Sequence, residues 1–435
     1  MDIPFTKHTL RNGLDVVVHE DRALPIVAVN VWYHVGSKDE VPGRTGFAHL
    51  FEHLMFEGSE HYDRGYFQPL QAAGAALNGS TNADRTNYWE VVPSNALDLA
   101  LWMESDRMGY LLPALTDAKF ENQRDVVLNE RRQNYENRPY GLAGMAIVAA
   151  LYPDAHPYHW MTIGAAEDIR AAHIDDVRAF FKRYYHPGNA SIALAGDIDA
   201  DTAIRLADEY FGDLEGGERP PRVQVPPPNP TSEVRLLLED RVELPRLYLT
   251  WHSPALFAAG DAELDLVSDV LAGGKTSRLY RSLVYEQRMA TEVAASQNSR
   301  ELGSFFQVVA TAAPGRTLAE IEQAIARELR AVATEGPTAG EMERGLAQAE
   351  SHFLARLQTV GGFGGKSDQL NAYNMYIGHP GFFSRDLERY RSATAGTLRD
   401  AAARWLRPEA RVALSVVPRG AANVGLDGSM PVAVS

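Results

Sequence analysis

The chain has 435 residues, of which 45% are hydrophobic and 23% charged, with a formal net charge of −15. Its length predicts two or more domains, and its acidic balance argues against nucleic-acid binding. No apolar run approaches the roughly 18 residues of a membrane span, and the absence of cysteine excludes disulfides, thiolate metal sites and cysteine nucleophiles.

Taken from the start of the chain, the N-terminal residues carry scattered charge and no apolar core. This favours the cytoplasm, with the periplasm open if a leader has been removed. Alternation of apolar and polar residues predicts strand runs at 8–19, 26–35 and 85–93. Helices are predicted at 44–57, 63–73, 95–112, 116–137 and 175–184. Strands and helices do not alternate regularly. An α+β arrangement, with an antiparallel-rich sheet packed by helices, therefore fits better than a doubly wound sheet.

The middle of the chain is punctuated by Gly216-Gly217 and by Pro220-Pro221, Pro226-Pro227-Pro228 and Pro230, which predicts an extended linker at 216–232. The segments on either side resemble each other. Glu20-Asp21-Arg22 with Leu24-Pro25 recurs as Glu239-Asp240-Arg241 with Leu244-Pro245, and an alternating strand follows each, at 27–35 and 246–253. The helix before Gly58 aligns with that before Gly274, Thr116 with Thr338, and 183–197 with 404–418. Matches in one order at offsets between 216 and 222 predict an internal duplication. The expected organisation is a first domain at 1–215, the linker, a homologous second domain at 233–420 and a poorly ordered tail at 421–435.

Chemistry concentrates on the helix predicted at 44–57. His49 and His53 are one turn apart and share a face, so two neutral imidazoles can hold one Zn2+. Glu52 lies on nearly the same face, placed to take a proton from a water whose pKa the ion lowers to about 7. A catalytic zinc needs a third protein ligand. The amphipathic helix at 116–137 carries Glu130 beside its apolar stripe of Phe120, Val127 and Leu128. Read alone, Glu130 is either that ligand or an ordinary exposed carboxylate. Gly361-Gly362 and Gly364-Gly365 match part of a phosphate-loop pattern, but without its strand–loop–helix context they read better as a close-packing spot. The remaining histidines, including His34, His156, His159, His186 and His252, read as structural.

With these residues in place the chain resembles the pitrilysin and mitochondrial processing peptidase family, the inverted-motif zinc peptidases. The similar pieces are Gly43-Arg44-Thr45-Gly46, the His49-x-x-Glu52-His53 set with Leu54-Met55-Phe56-Glu57-Gly58, Asn78 to Tyr88, and His156-Pro157-Tyr158 with Gly164. The resemblance implies a zinc endopeptidase holding one Zn2+ per chain on His49, His53 and Glu130, which lies 77 positions after His53. It implies Glu52 as general base, and two tandem domains closing like a clamshell over a cavity. Peptides or unfolded segments would dock on an edge strand carrying Asn78, Ser80, Thr81 and Asn82. A non-catalytic core or assembly subunit of the same fold is the alternative.

Two departures stand out. Where the family usually has a glutamate seven residues before the ligand glutamate, this chain has Gln123, which removes one negative charge near the ligand. Where active single-chain members carry an Arg and, seven residues on, a Tyr for the substrate carbonyl and oxyanion, it has Val284 and Thr291. A register slip recruiting Tyr285 or Arg288 is the lesser reading. The simpler expectation is a heterodimer with a homologous, metal-less subunit that supplies the Arg and Tyr.

Overall fold

The computed structural model describes residues 2–226 and 232–434, so 227–231 of the expected linker lie outside the described residues. The first sheet is built from β1 (Thr6–Thr9), β2 (Asp15–Glu20), β3 (Ile26–Tyr33), β4 (Ala76–Thr81), β5 (Thr86–Pro93) and β6 (Ala190–Gly196). Its order is β1-β2-β6-β3-β5-β4, antiparallel throughout except for the parallel pair β2–β6. The second sheet uses β7 (Val234–Asp240), β8 (Arg246–Ser253), β9 (Ala290–Asn298), β10 (Ser304–Ala312), β11 (Arg411–Pro418) and β12 (Met430–Pro431), in the order β12-β7-β11-β8-β10-β9. Five strands of each sheet repeat the same order and directions, with β7–β11 parallel as β2–β6 is. The internal duplication read from the sequence is thus a duplicated α+β topology.

Several boundaries differ from the sequence reading. The run at 8–19 is a hairpin, broken where Gly13 takes φ 92°. The helix expected at 44–57 is confined to Phe47–Leu54 (α1), because Gly46 enters it at φ 89° and Gly58 leaves the following turn at φ 117°. The helix expected at 116–137 runs as Asp117–Arg131 and then widens to a π turn, Arg132–Glu136. The tail expected to be poorly ordered has two placed pieces among its described residues. Leu426 is buried in the second core, and Met430–Pro431 pairs with β7.

The compact units do not follow the division of the chain at 216–232. One comprises the residues up to Glu130 with Met161–Val223 and His352–Arg385; the other takes Arg131–Trp160, the stretch to Ser351, and Asp386 onward. Each sheet is therefore covered in part by a helix from the other half of the sequence. Ala143–Leu151 packs on β8 and β11, and Lys366–Ile377 packs on β2, β3 and β6.

The reason for the second exchange is polar. β3 turns Val27, Val29, Val31 and Tyr33 to one face, and Ala28, Asn30 and Trp32 to the other. Asp368 Oδ1 accepts from Trp32 Nε1 (2.9 Å), Asn87 Nδ2 (3.0 Å) and Asn30 Nδ2 (3.3 Å), while Oδ2 accepts from Gly364 N (2.8 Å). One turn on, Asn371 Nδ2 donates to Asn30 O at 2.7 Å. Asn374 Nδ2, a further turn along, donates to Asp15 Oδ2 at 3.0 Å. The i, i+3 stripe of Asp368, Asn371 and Asn374 satisfies a buried polar face that no apolar helix could cover.

Asp368→Ala should therefore leave three buried donors unpaired and lower the unfolding free energy by about 3 kcal/mol. Urea unfolding of the variant checks this, and Asp368→Asn, which keeps one acceptor oxygen, should fall between the two.

Candidate metal centre

α1 is only eight residues long, and its entry is fixed by charge and by glycine. The Glu40 carboxylate, 6% exposed, accepts from Gly46 N and Ala48 N at 2.9 Å each, placing an anion on the helix's positive end. Thr45 binds Asp168 through N (3.0 Å) and Oγ1 (2.7 Å), and Thr45 Oγ1 accepts from Ala165 N at 2.8 Å. Gly46 and Gly164 lie back to back; a Cβ on Gly164 would come 2.5 Å from the Gly46 backbone. The Gly43–Gly46 and Gly164 pieces of the sequence resemblance thus both act at the start of this helix. On its far side Leu50, Phe51 and Leu54 are buried, with Phe51 packed on Phe180, Phe181 and Tyr185.

The remaining face carries His49, Glu52 and His53. The two imidazole centroids are 4.9 Å apart with planes at 85°. Glu130, near the end of the helix Asp117–Arg131, brings Oε2 to 3.6 Å from His49 Nε2 and 3.4 Å from His53 Nε2. One donor atom from each of the three lies within 4.8 Å of the others, the one such group of three among the described residues. Tetrahedral ligands at about 2.1 Å from a zinc ion stand about 3.4 Å apart, close to the two separations that Glu130 makes with the imidazoles, so the donor set is of the type and spacing that such an ion takes. Burial pushes the His49 imidazole down to about 4, with His53 adding to the effect. The ring is thus neutral, as a ligand must be. Its Nδ1 is buried without a hydrogen-bond partner among the described residues, and its contact with Glu130 runs through Nε2.

Glu52 is half-buried, and burial raises its carboxyl above the usual range. A hydrogen bond from Thr81 and the charge of Arg85 pull it partly back. Arg85 was not singled out in the sequence. Its guanidinium donates to Ser80 O (2.9 Å) and Oγ (2.7 Å), bracing the β4–β5 turn.

The four residues expected to touch substrate separate in the structure. By register, Leu77, Gly79 and Thr81 face α1, whereas Asn78 and Ser80 face the other side of the sheet, opposite Trp89 and Asn87. Ser80 Oγ donates to Asn87 Oδ1 at 2.7 Å, and Asn82 Oδ1 accepts from Asp84 N and Arg85 N inside the turn. Only Thr81 of the four is joined to a residue of α1. What β4 presents at the sheet edge is its backbone, since among the described residues it pairs only with β5. Gln123 donates to Glu57 Oε1, just beyond α1.

In the second unit the helix Asp261–Ala272 follows β8 as α1 follows β3. Val284 packs against that unit's apolar core, Thr291 Oγ1 donates to Thr311 O at 3.4 Å, and Tyr285 is 76% exposed. Neither Val284 nor Thr291 offers a guanidinium or a phenol.

Residues 15–156 match the family described as insulinase (peptidase family M16), and residues 172–349 match the peptidase M16 inactive domain. The zinc protease PqqE of Helicobacter pylori is 28% identical over 81% of this chain and 80% of its own length. An uncharacterized zinc protease of Mycobacterium leprae is 31% identical over 77% of this chain and 74% of its own. The mitochondrial-processing peptidase subunit beta of Caenorhabditis elegans is 27% identical over 55% and 51%. The crystal structure of a protease from Helicobacter pylori superimposes with a TM-score of 0.87 over 95% of this chain and 100% of that one. At 24% identity it shows the shared fold.

Gln123→Glu would replace a hydrogen bond with two carboxylates in contact. A carboxyl whose folded pKa is raised in this way costs stability above its unfolded pKa and nothing where both states are protonated. The variant should match the parent near pH 4 and be less stable by about 1 kcal/mol at pH 7, read by urea unfolding across that range.

Proposed function

The chain belongs to peptidase family M16, and on that premise we infer that it is a zinc-dependent endopeptidase acting on peptides or unfolded segments. The observation that carries this is the convergence of His49, His53 and Glu130 within 4.8 Å, with Glu52 on the same face of α1. A zinc ion bound by those three supplies Lewis-acid polarisation of the peptide carbonyl and lowers the pKa of water.

The chain's own residues do the rest. Glu52 is the proton carrier: it takes the proton of the attacking water and returns it to the departing amine. A carboxyl raised by burial is suited to both halves of that task. Thr81 orients it from β4. The unpaired edge of β4 binds the substrate backbone as an added strand, which brings the peptide past Glu52 whatever its side chains. No helix among the described residues is long and apolar enough to cross a membrane.

Glu52→Gln should keep one zinc per chain while peptide hydrolysis falls by at least about 100-fold, because the amide preserves shape and removes basicity. Zinc content after dialysis and turnover of a fluorogenic peptide give the two readings; near-normal turnover would remove Glu52 from the mechanism. Glu130→Ala should lose the zinc.

The partner follows from the second copy. With Val284 and Thr291 where an Arg and a Tyr are expected, the chain lacks its own donors for the oxyanion, and each missing donor costs about 100- to 1,000-fold. We therefore assign it as the metal-bearing member of a heterodimer whose homologous, metal-less partner supplies that pair. The isolated chain should bind zinc and hydrolyse peptides poorly, and addition of the partner should restore turnover. Full activity of the single chain would overturn the heterodimer and leave the metal site intact.

A further inference from the structure

The face of β4 turned away from α1 has a function of its own to explain. Beside Ala76, at the end of β4 remote from Thr81, lies a cavity of about 420 Å3 within the first unit, in the size range of sites that hold small organic groups. Its walls are Leu24, Ile26, Trp89, Val91 and Val360. The chain at Gly361 closes against the sheet, where a Cβ would stand 2.6 Å from Ala28 Cβ and Val91 Cγ2. The close-packing role read for this glycine cluster thus makes one wall of the cavity. Leu24 is 61% exposed, and Phe363, 51% exposed, meets the Trp89 ring edge-on at 5.5 Å. Asp21, the one charged residue among the described residues of the lining, is already paired with Lys366 at 2.6 Å.

An apolar cavity with no unpaired charge has little with which to orient a free small molecule. A side chain tethered to a backbone held by hydrogen bonds needs no such group. A strand added at β4 turns alternate residues to the two faces of the sheet, one set toward α1 and the other toward the side where Ala76, Trp89 and Val91 stand. Ala76 stands five residues from Thr81, which at about 3.4 Å per residue is roughly 17 Å along the strand.

We propose that this cavity is a specificity pocket for a large apolar side chain of the bound peptide, about five residues from the cleaved bond. The proposal rests on the reading of β4 as the substrate edge. It explains why the wall is built from a glycine cluster far along the sequence, and why a leucine is left in solvent at residue 24.

The test is binding before cleavage. Short Gly/Ser/Ala peptides, each with a single Phe walked through successive positions, are titrated against the full zinc-loaded chain by calorimetry, and their kcat/KM is measured in the active preparation. Phe at one position about five residues from the cleaved bond should tighten binding about 10-fold over Ala there. Leu24→Glu, an exposed change that leaves the fold intact, should abolish that gain, and Leu24→Met should keep it. Binding that ignores Phe at every position, or a Phe gain that survives Leu24→Glu, overturns the pocket. So does equally tight binding of N-acetylphenylalanine amide, which would make it a small-molecule site. Phe-dependent binding without cleavage of any peptide supports the pocket and counts instead against the peptidase reading.

Discussion

The buried carboxylate of Glu40, bonded to Gly46 N and Ala48 N, is the constraint on which the candidate metal centre hangs. Eight residues are too few to hold a helix by themselves, since nucleation costs more than so short a ladder returns. α1 exists because its first amides are satisfied from outside, its N-terminus faces a negative charge, and its back is packed on aromatic rings. Every group of the site except Glu130 rides on it. A small rotation of this one element would move His49, Glu52 and His53 together, so the cap sets the aim of the whole donor set.

A second constraint works by specification rather than by bulk. The helix Lys366–Ile377 is held to the first sheet by amides and a carboxylate. Apolar contact would tolerate sliding and rotation, whereas Asp368, Asn371 and Asn374 match their partners in one register only. The same rigidity reaches β4, the proposed substrate edge, because Asn87, which binds Asp368, also accepts from Ser80.

Much of this was legible in the sequence because it is local. The His49-x-x-Glu52-His53 spacing projects three groups from one face whatever surrounds it, and alternation placed β3 and β5. Glu130 could be picked out only through family resemblance, since nothing local separates it from other exposed carboxylates. What the sequence did not reveal depends on distant partners. Glu40 sits in a loop with no periodicity to mark it. The faces of Asn78 and Ser80 follow from cross-strand register, which a single strand does not disclose. The composition of the tail, small and polar, reads as poorly ordered, yet Leu426 is buried in the second core and Met430–Pro431 pairs with β7. The exchange of helices between halves left no trace either, because an amphipathic pattern says that a helix packs but not on what.

That exchange has a consequence for synthesis on the ribosome. The first sheet has all its strands once Gly196 has emerged, yet the helix that covers its second face is some 170 residues further on. At about 5–20 residues per second the sheet stands open on that side for roughly ten to thirty seconds. An apolar face exposed for so long would invite aggregation. Asn30, Asn87 and Ser191 instead present groups that water can solvate until Asp368, Asn371 and Asn374 arrive to replace it. Set beside Trp32 and Trp89 on the same face, these polar groups lower that hazard while the chain waits.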